Sequence, residues 1–305
     1  MTDRSNHADI RIGTLVKGGG DPADYIIQIS QHGFESYSIT FWQTLGGKDL
    51  SAMAEQVKAA CADSGAVISS ICPFGNPLGT RPEDEELRSA WEQCIDHAAD
   101  FGCDIVAGFA GGTGGSVAES IDRYKEVFEP LADRAGEKGV RLAFENCAMG
   151  GTWKKTTTNI ALGPKCWDLM FEALPNHSNI GLQWEPCHQL VMLADPMPQL
   201  RHYADRIFHV HGKDASVYHD VIAEQGISGG PEKFAHHRHP GFGDSDWTAI
   251  ISRLRLNGFT GCIDIEGWHD PVYKGDLEMT GQVHALNYLK QCRGGSYATN
   301  PQQPA

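Results

Sequence analysis

The sequence predicts a (β/α)8 barrel, a TIM barrel built as a single domain over residues 10–293. Three observations predict it. Strand-like and helix-like stretches alternate from end to end, giving about eight units over about 250 residues, as such a barrel requires. Glycine punctuates the change from helix to strand at Gly33, Gly65, Gly102, Gly139 and Gly258. Chemistry-bearing residues fall at the ends of the fifth to eighth strand-like runs, in Phe144-Glu145-Asn146, Glu185-Pro186-Cys187-His188, His209-Val210-His211 and Ile265-Glu266-Gly267. An open doubly wound sheet would gather its ligand at one crevice. A closed barrel brings all these ends to one face, where three carboxylates and an imidazole make a divalent-metal site.

The strands are expected at 10–15, 36–40, 67–72, 105–109, 141–145, 180–185, 206–211 and 261–266, all short, apolar and β-prone. The first helix, 22–31, starts at Asp21 as N-cap. The second, 49–64, sets Met53, Val57 and Cys61 at helical spacing. The third, 84–101, is acidic in its first turn, as the helix dipole favours. The remaining helices are expected at 117–138, 164–174, 196–204, 247–256 and 276–292. Residues 1–9 are polar, and the Pro-containing segment 294–305 reads as a frayed tail. Two stretches read as loops: the glycine-rich 111–115, which lacks a P-loop lysine and is expected to be flexible, and the long segment 234–243 after the seventh strand.

With 41% hydrophobic residues the chain can bury a full core. A net charge of −14 argues against a nucleic-acid partner and fits a neutral substrate plus a cation. The 9 cysteines are scattered, with no Cys-x-x-Cys pair. They read as reduced thiols of a cytoplasmic protein. No apolar leader is visible near the start, and no apolar run has membrane-spanning length.

Each candidate has a chemical reason. Glu145 ends its strand as a hard-cation ligand or general base. Glu185 and His188 share a turn stiffened by Pro186 and can address one ligand, while Cys187 reads as a packed thiol. His209 and His211 share one strand face; His211 is the metal-ligand candidate and His209 a hydrogen-bonded core histidine one layer lower. Asp264 lies one layer below Glu266 and needs a partner there, a site histidine. Lys213 is a candidate substrate contact, Arg238 and His239 candidates to close over a sugar, and Trp268, His269 and Asp270 candidate pocket walls.

Taken together, Ala-Phe-Glu145-Asn, Glu185-Pro-Cys-His188, His209-Val-His211-Gly-Lys-Asp214, Pro240-Gly-Phe-Gly and Ile-Asp-Ile-Glu266 resemble the xylose isomerase-like sugar phosphate isomerases and epimerases. The likeness runs from Ile10 to about Cys292 and is densest from Arg141. It implies one Mn2+, Mg2+ or Co2+ held by Glu145, Glu185, His211 and Glu266, with His188 facing a small-molecule sugar. It also implies a homodimer or homotetramer and, for members acting on 3-oxo-glycosides, a small partner subunit. Two departures stand out. Glu185 occupies a position usually held by Asp, and residues 212–217 lack the Arg that ketose 3-epimerases carry there. The implied chemistry is proton abstraction beside a carbonyl through an enediolate, with Glu145 and Glu266 on opposite sides of the carbon. Epimerisation or isomerisation is the first outcome. Elimination by a lyase, hydratase or deglycosidase is the second. Phosphodiester hydrolysis would want more metal ligands and a basic face, and a non-catalytic sugar-binding barrel is the remaining alternative.

Overall fold

A computed structural model describes residues 9–295 and 301. Eight parallel strands close into a barrel in the order β1-β10-β7-β6-β5-β4-β3-β2. These are β1 (Arg11–Lys17), β2 (Ser36–Trp42), β3 (Val67–Phe74), β4 (Ile105–Gly108), β5 (Arg141–Glu145), β6 (Ile180–Trp184), β7 (Ile207–Gly212) and β10 (Cys262–Ile265). All eight expected strands are present, with ends shifted by one or two residues. Around them run α1 (Pro22–Ile29), α2 (Leu50–Cys61), α3 (Pro82–Phe101), α4 (Val117–Glu137), α5 (Pro164–Ala173), α6 (Cys187–Val191) and α7 (Met197–His202). The chain continues through β8 (Asp214–Val217), α8 (His219–Gln225), β9 (Ala235–Arg238), α9 (Trp247–Leu256) and α10 (Glu278–Arg293).

Local chemistry sets the boundaries. Asp21 caps α1, its carboxylate accepting from the Asp24 amide at 3.0 Å. Ser116 and Glu119 form a capping box at α4. Gly102 ends α3 at φ 74°, a left-handed turn that costs glycine little. Strand alternation then sorts the side chains. On β5, Phe144 faces the helices and packs on Phe128 with ring centroids 4.8 Å apart, which turns Glu145 into the barrel.

The barrel interior holds a polar layer beneath the C-terminal mouth. Asp264 accepts from Ser36 Oγ at 2.5 Å, from Ser69 Oγ, and from His209 Nε2 at 2.7 Å. Gln183 Nε2 donates to His209 Nδ1 at 3.1 Å. Asp264 thus has the histidine partner its burial demanded. Gly13 makes room for this carboxylate: a Cβ there would lie 2.2 Å from Asp264 Oδ1.

Two expectations are corrected. Segment 234–243 is not one long loop, because β9 pairs antiparallel with β8, Ala215 opposite His237. The glycine-rich segment 111–115 is not loose: Asn76 exchanges two hydrogen bonds with Gly112 (2.8 and 2.9 Å), and Thr156 Oγ1 accepts from Gly114 at 3.1 Å. Asp9, the last residue of the polar N-terminal segment, pairs with Arg255 at 2.7 Å. Residues 1–8 and nearly all of the tail expected to fray lie outside the described residues. No helix among the described residues is long and apolar enough to cross a membrane.

Candidate active site and metal centre

The C-terminal strand ends bring Glu145, Glu185, His211 and Glu266 together, with one ligand atom from each within 4.8 Å of the others. All four are buried. His211 Nδ1 lies 3.4 Å from Glu145 Oε1 and 3.1 Å from Glu266 Oε2, so the imidazole sits between two carboxylates. Glu185 Oε2 and His211 Nε2 have neither a hydrogen-bond nor an ion-pair partner. Buried polar atoms are almost always satisfied, so orphaned donors and acceptors pointing at one spot are informative. Oxygen and imidazole donors in this number fit a hard divalent cation. Glu185, one methylene longer than the Asp that the family resemblance implies at this position, still reaches the cluster.

Two asparagines fix the frame. Asn146 accepts from the Glu185 amide at 2.8 Å and donates to the Glu185 carbonyl at 2.9 Å, tying the ends of β5 and β6. Asn159 donates to the carbonyls of Glu145 (2.7 Å) and Cys147 (2.8 Å). Such supporting bonds hold ligands in place. Asn146 was visible in the Phe-Glu-Asn motif; Asn159 lies in a loop with no sequence signal.

His188, in the first turn of α6, puts Nε2 2.7 Å from Glu185 Oε1. Lys213 Nζ lies 2.5 Å from Glu266 Oε1. Burial works against every charge here, but the opposite charges prevail at several groups. Glu185 and Glu266 are held low despite burial, Glu185 by His188 and Lys213, Glu266 by Lys213 and His211. Burial and the charge of Glu266 push Glu145 up. Burial opposes the charged forms of His188 and Lys213, yet Glu185 holds the first, and Glu266 the second, well above their ordinary values.

A cavity of about 540 Å³ opens over the cluster, lined by Glu145, His188, Lys213, Glu266, Trp268 and His269, among others. Lys213 and Trp268, candidate substrate contacts from the sequence, both line it. Arg238 and His239 do not line this cavity. Asp270 accounts for this: its Oδ2 accepts from Arg238 Nε at 3.2 Å and from the His239 amide at 3.0 Å, holding both away from the cavity. Asp270 is buried as a loop brace, accepting also from the Val272 and Tyr273 amides, rather than forming a wall. The residue that β9 turns inward is His237, its ring 5.1 Å from that of His188. Burial lowers His237 to about 3, so it is a neutral imidazole. Cys187 is buried as expected, although its sulfur also comes within 4.8 Å of donor atoms on His188 and His237. A further cavity of about 470 Å³ opens at the opposite mouth, lined by Ser69 and His209 but by none of the four clustered residues.

Comparison with known proteins places this geometry. The chain is 32% identical over 177 residues to an inosose dehydratase of Lactiplantibacillus plantarum, 57% of this chain and 53% of that protein. It is 28% identical over 176 residues to the rhizopine catabolism protein MocC of Rhizobium meliloti, 56% of this chain and 47% of that one. The chain thus spans about half the length of the curated relatives it matches. Among solved structures, a 3-keto-D-glucoside 4-epimerase from E. coli superposes with TM-score 0.68 at 17% identity, covering 93% of this chain and 100% of the other. An L-ribulose 3-epimerase superposes with TM-score 0.66 at 17% identity, covering 93% and 96%. At such identities the likeness is one of fold. The family model of the xylose isomerase-like TIM barrel matches residues 26–292, nearly the whole barrel. On that match, and on a closed barrel of the same architecture, the chain belongs to the xylose isomerase-like TIM barrel family.

Proposed function

We propose that the chain is a divalent-metal-dependent isomerase or epimerase of a keto-sugar, working by proton abstraction beside the carbonyl. The observation that carries the reading is the buried cluster of Glu145, Glu185, His211 and Glu266, with ligand atoms within 4.8 Å and two atoms left without partners. These four side chains would hold the cation, Mn2+ first and Mg2+ or Co2+ as alternatives. When bound, such an ion supplies Lewis-acid stabilisation of the negative charge that develops on the substrate's oxygens.

The protein supplies the rest. Glu145 and Glu266 both approach Nδ1 of His211, at 3.4 and 3.1 Å. From there the two carboxyl groups address a substrate carbon from opposite directions. One removes the α-proton and the other returns a proton, the division of labour that epimerisation needs. His188, oriented by Glu185, donates to a substrate oxygen. Lys213 adds a fixed positive charge, and Trp268 walls the cavity.

A second reading keeps the proton abstraction and ends in loss of a β-substituent. The inosose dehydratases among the relatives support it, since a dehydratase expels water. A lyase, hydratase or deglycosidase acting on 3-oxo-glycosides falls in this class. Chromatographic separation followed by mass spectrometry of products from a panel of ketoses and 3-oxo-glycosides, with Mn2+ added, separates the two. A product of unchanged mass supports the isomerase or epimerase. Loss of water or of an aglycone supports the lyase. No product from any of them contradicts both.

A further inference from the structure

The cavity over the cluster is chemically two-sided. Its hydrogen-bonding side chains, among them Glu145, His188, Lys213 and Glu266, gather at the cluster end. Among the described residues, no Ser, Thr, Asn, Gln, Asp or Arg lines it. A free hexose or pentose bound here would present its remote hydroxyls to hydrocarbon, and an unpaired buried hydroxyl is costly.

What lines the other end is aromatic and continuous. The Phe74 ring lies 6.5 Å from that of His211, inside the cluster. Phe74 meets Phe109 at 4.9 Å, and Phe109 meets Trp42 edge-on at 6.3 Å. Trp268 stands beside them with Lys17 Nζ 5.6 Å from its ring centre, which fixes the indole through a cation–π contact. Beyond Trp42 the cavity runs into a groove of about 520 Å³ that shares Trp42, Phe74 and Trp268 with it and adds Phe41 and Leu45, with Lys17, Thr40 and Thr44 at its polar edge. Trp42 is 56% exposed although large apolar side chains are normally covered.

Backbone strain marks the same rim. The non-glycine residues with positive φ among those described are Gln43 (63°), Met149 (48°), Leu193 (58°) and His269 (75°). Gln43, Met149 and His269 lie in loops that follow the C-terminal ends of β2, β5 and β10, while Leu193 follows α6. Gln43 directly follows Trp42, His269 directly follows Trp268, and Met149 lines the cavity. Strain of this kind persists where the surrounding structure holds a residue in place, and it clusters at ligand sites.

We infer that Trp42, Phe74, Phe109 and Trp268 form a subsite for a flat aromatic group, so that the substrate is an aryl-substituted sugar rather than a free ketose. The carbonyl-bearing ring then faces the carboxylate cluster and the aryl group lies against the indoles. The inference rests on the reading of the cluster as the site of sugar chemistry. It adds which sugar derivatives that site takes.

The test compares phenyl β-D-glucopyranoside with methyl β-D-glucopyranoside on the full chain with added Mg2+. Neither probe carries a carbonyl, so binding is read without turnover. The phenyl glucoside is expected to bind at least about tenfold more tightly, the order of one good aromatic contact. Saturation transferred from the protein should reach the phenyl protons most strongly. Trp42→Ala should weaken the phenyl glucoside by about tenfold and leave the methyl glucoside unchanged, and Trp268→Ala should also weaken the phenyl glucoside by about tenfold. Trp42 is exposed, so its replacement leaves the fold intact. Equal affinities, no binding of either probe, or a preference that survives both substitutions overturns the subsite. So does a dimer that Trp42→Ala dissociates without any aryl preference, because a second copy of the chain would then be what covers the rim. An intact aryl preference with no proton exchange on any carbonyl substrate would leave the subsite standing and remove the proton-abstraction reading instead.

Discussion

Lys213 Nζ lies 2.5 Å from Oε1 of Glu266, with both side chains all but fully buried. A buried ammonium is thus held against one of the four residues that would hold a cation. Its charge repels that cation while it steadies the carboxylate. Removing it should therefore tighten metal binding and impair turnover. At an effective dielectric of about 20 and a few ångströms' separation, the repulsion is worth at least ~1–2 kcal/mol, a tenfold or greater gain in affinity. Chelator competition on Lys213→Met measures this directly. Unchanged or weaker Mn2+ binding would count against the arrangement.

Replacing either flanking carboxylate should cost turnover rather than fold. Glu145→Gln and Glu266→Gln keep volume and remove the acid–base function, and each is expected to lower turnover by about 10²–10⁴-fold. Circular dichroism confirms that the barrel persists. A near-normal rate in either variant would remove that residue from the proton-transfer pair.

Metal uptake should release a proton. Burial disfavours charge on His211, but Glu145 and Glu266 on either side outweigh it and hold the imidazolium well above its usual range. A cation needs the neutral ring, so binding must displace that proton. Adding Mn2+ to weakly buffered protein near neutral pH should release about one proton per site, and affinity should rise with pH. Binding with no proton release and no pH dependence would show that His211 is neutral beforehand or stands outside the ligand set.

Barrel closure should be acid-sensitive through Glu35. Arg293, in the last turn of α10, donates from Nη1 to the Ile10 carbonyl at 2.7 Å and from Nη2 to Glu35 Oε1 at 3.0 Å, joining the last helix to the first two strands. Burial opposes the Glu35 charge, yet Arg293 holds its pKa below the ordinary 4.5. A depressed carboxylate stabilises the fold fully above its unfolded pKa and loses that contribution as pH falls through the folded value. Thermal melts between pH 3 and 7 should show the wild type losing more stability on acidification than Glu35→Gln. Parallel curves would mean that the pair does not couple to folding.

Much of this was legible in the chain because barrels concentrate chemistry at strand ends. Glu145 and Glu266 close or follow short β-prone runs, and period-two alternation put His209 and His211 on one face, with His209 one layer down against Asp264. The hairpin was not legible. Strands β8 and β9 find each other across α8, and neither Asp-Ala-Ser-Val nor Ala-His-His-Arg reads as a strand on its own. Missing that pairing misassigned its neighbours. Alternation on β9 sends His237 toward His188, while Asp270, whose role as a brace depends on a distant loop, draws Arg238 and His239 aside. Likewise, nothing local to Asn159 announces that it will bind the Glu145 carbonyl.

The central claim is that this cluster, with a cation, removes the proton next to a sugar carbonyl. Proton NMR in D₂O tests it most directly, with Mn2+ present during incubation and chelated before the spectrum is read. A panel of ketoses and aryl 3-oxo-glycosides serves as substrate. Deuterium is expected at the carbon beside the carbonyl, dependent on the metal and lost in Glu145→Gln or Glu266→Gln. Retention of every proton by all these compounds, in protein shown to hold its metal, would contradict it.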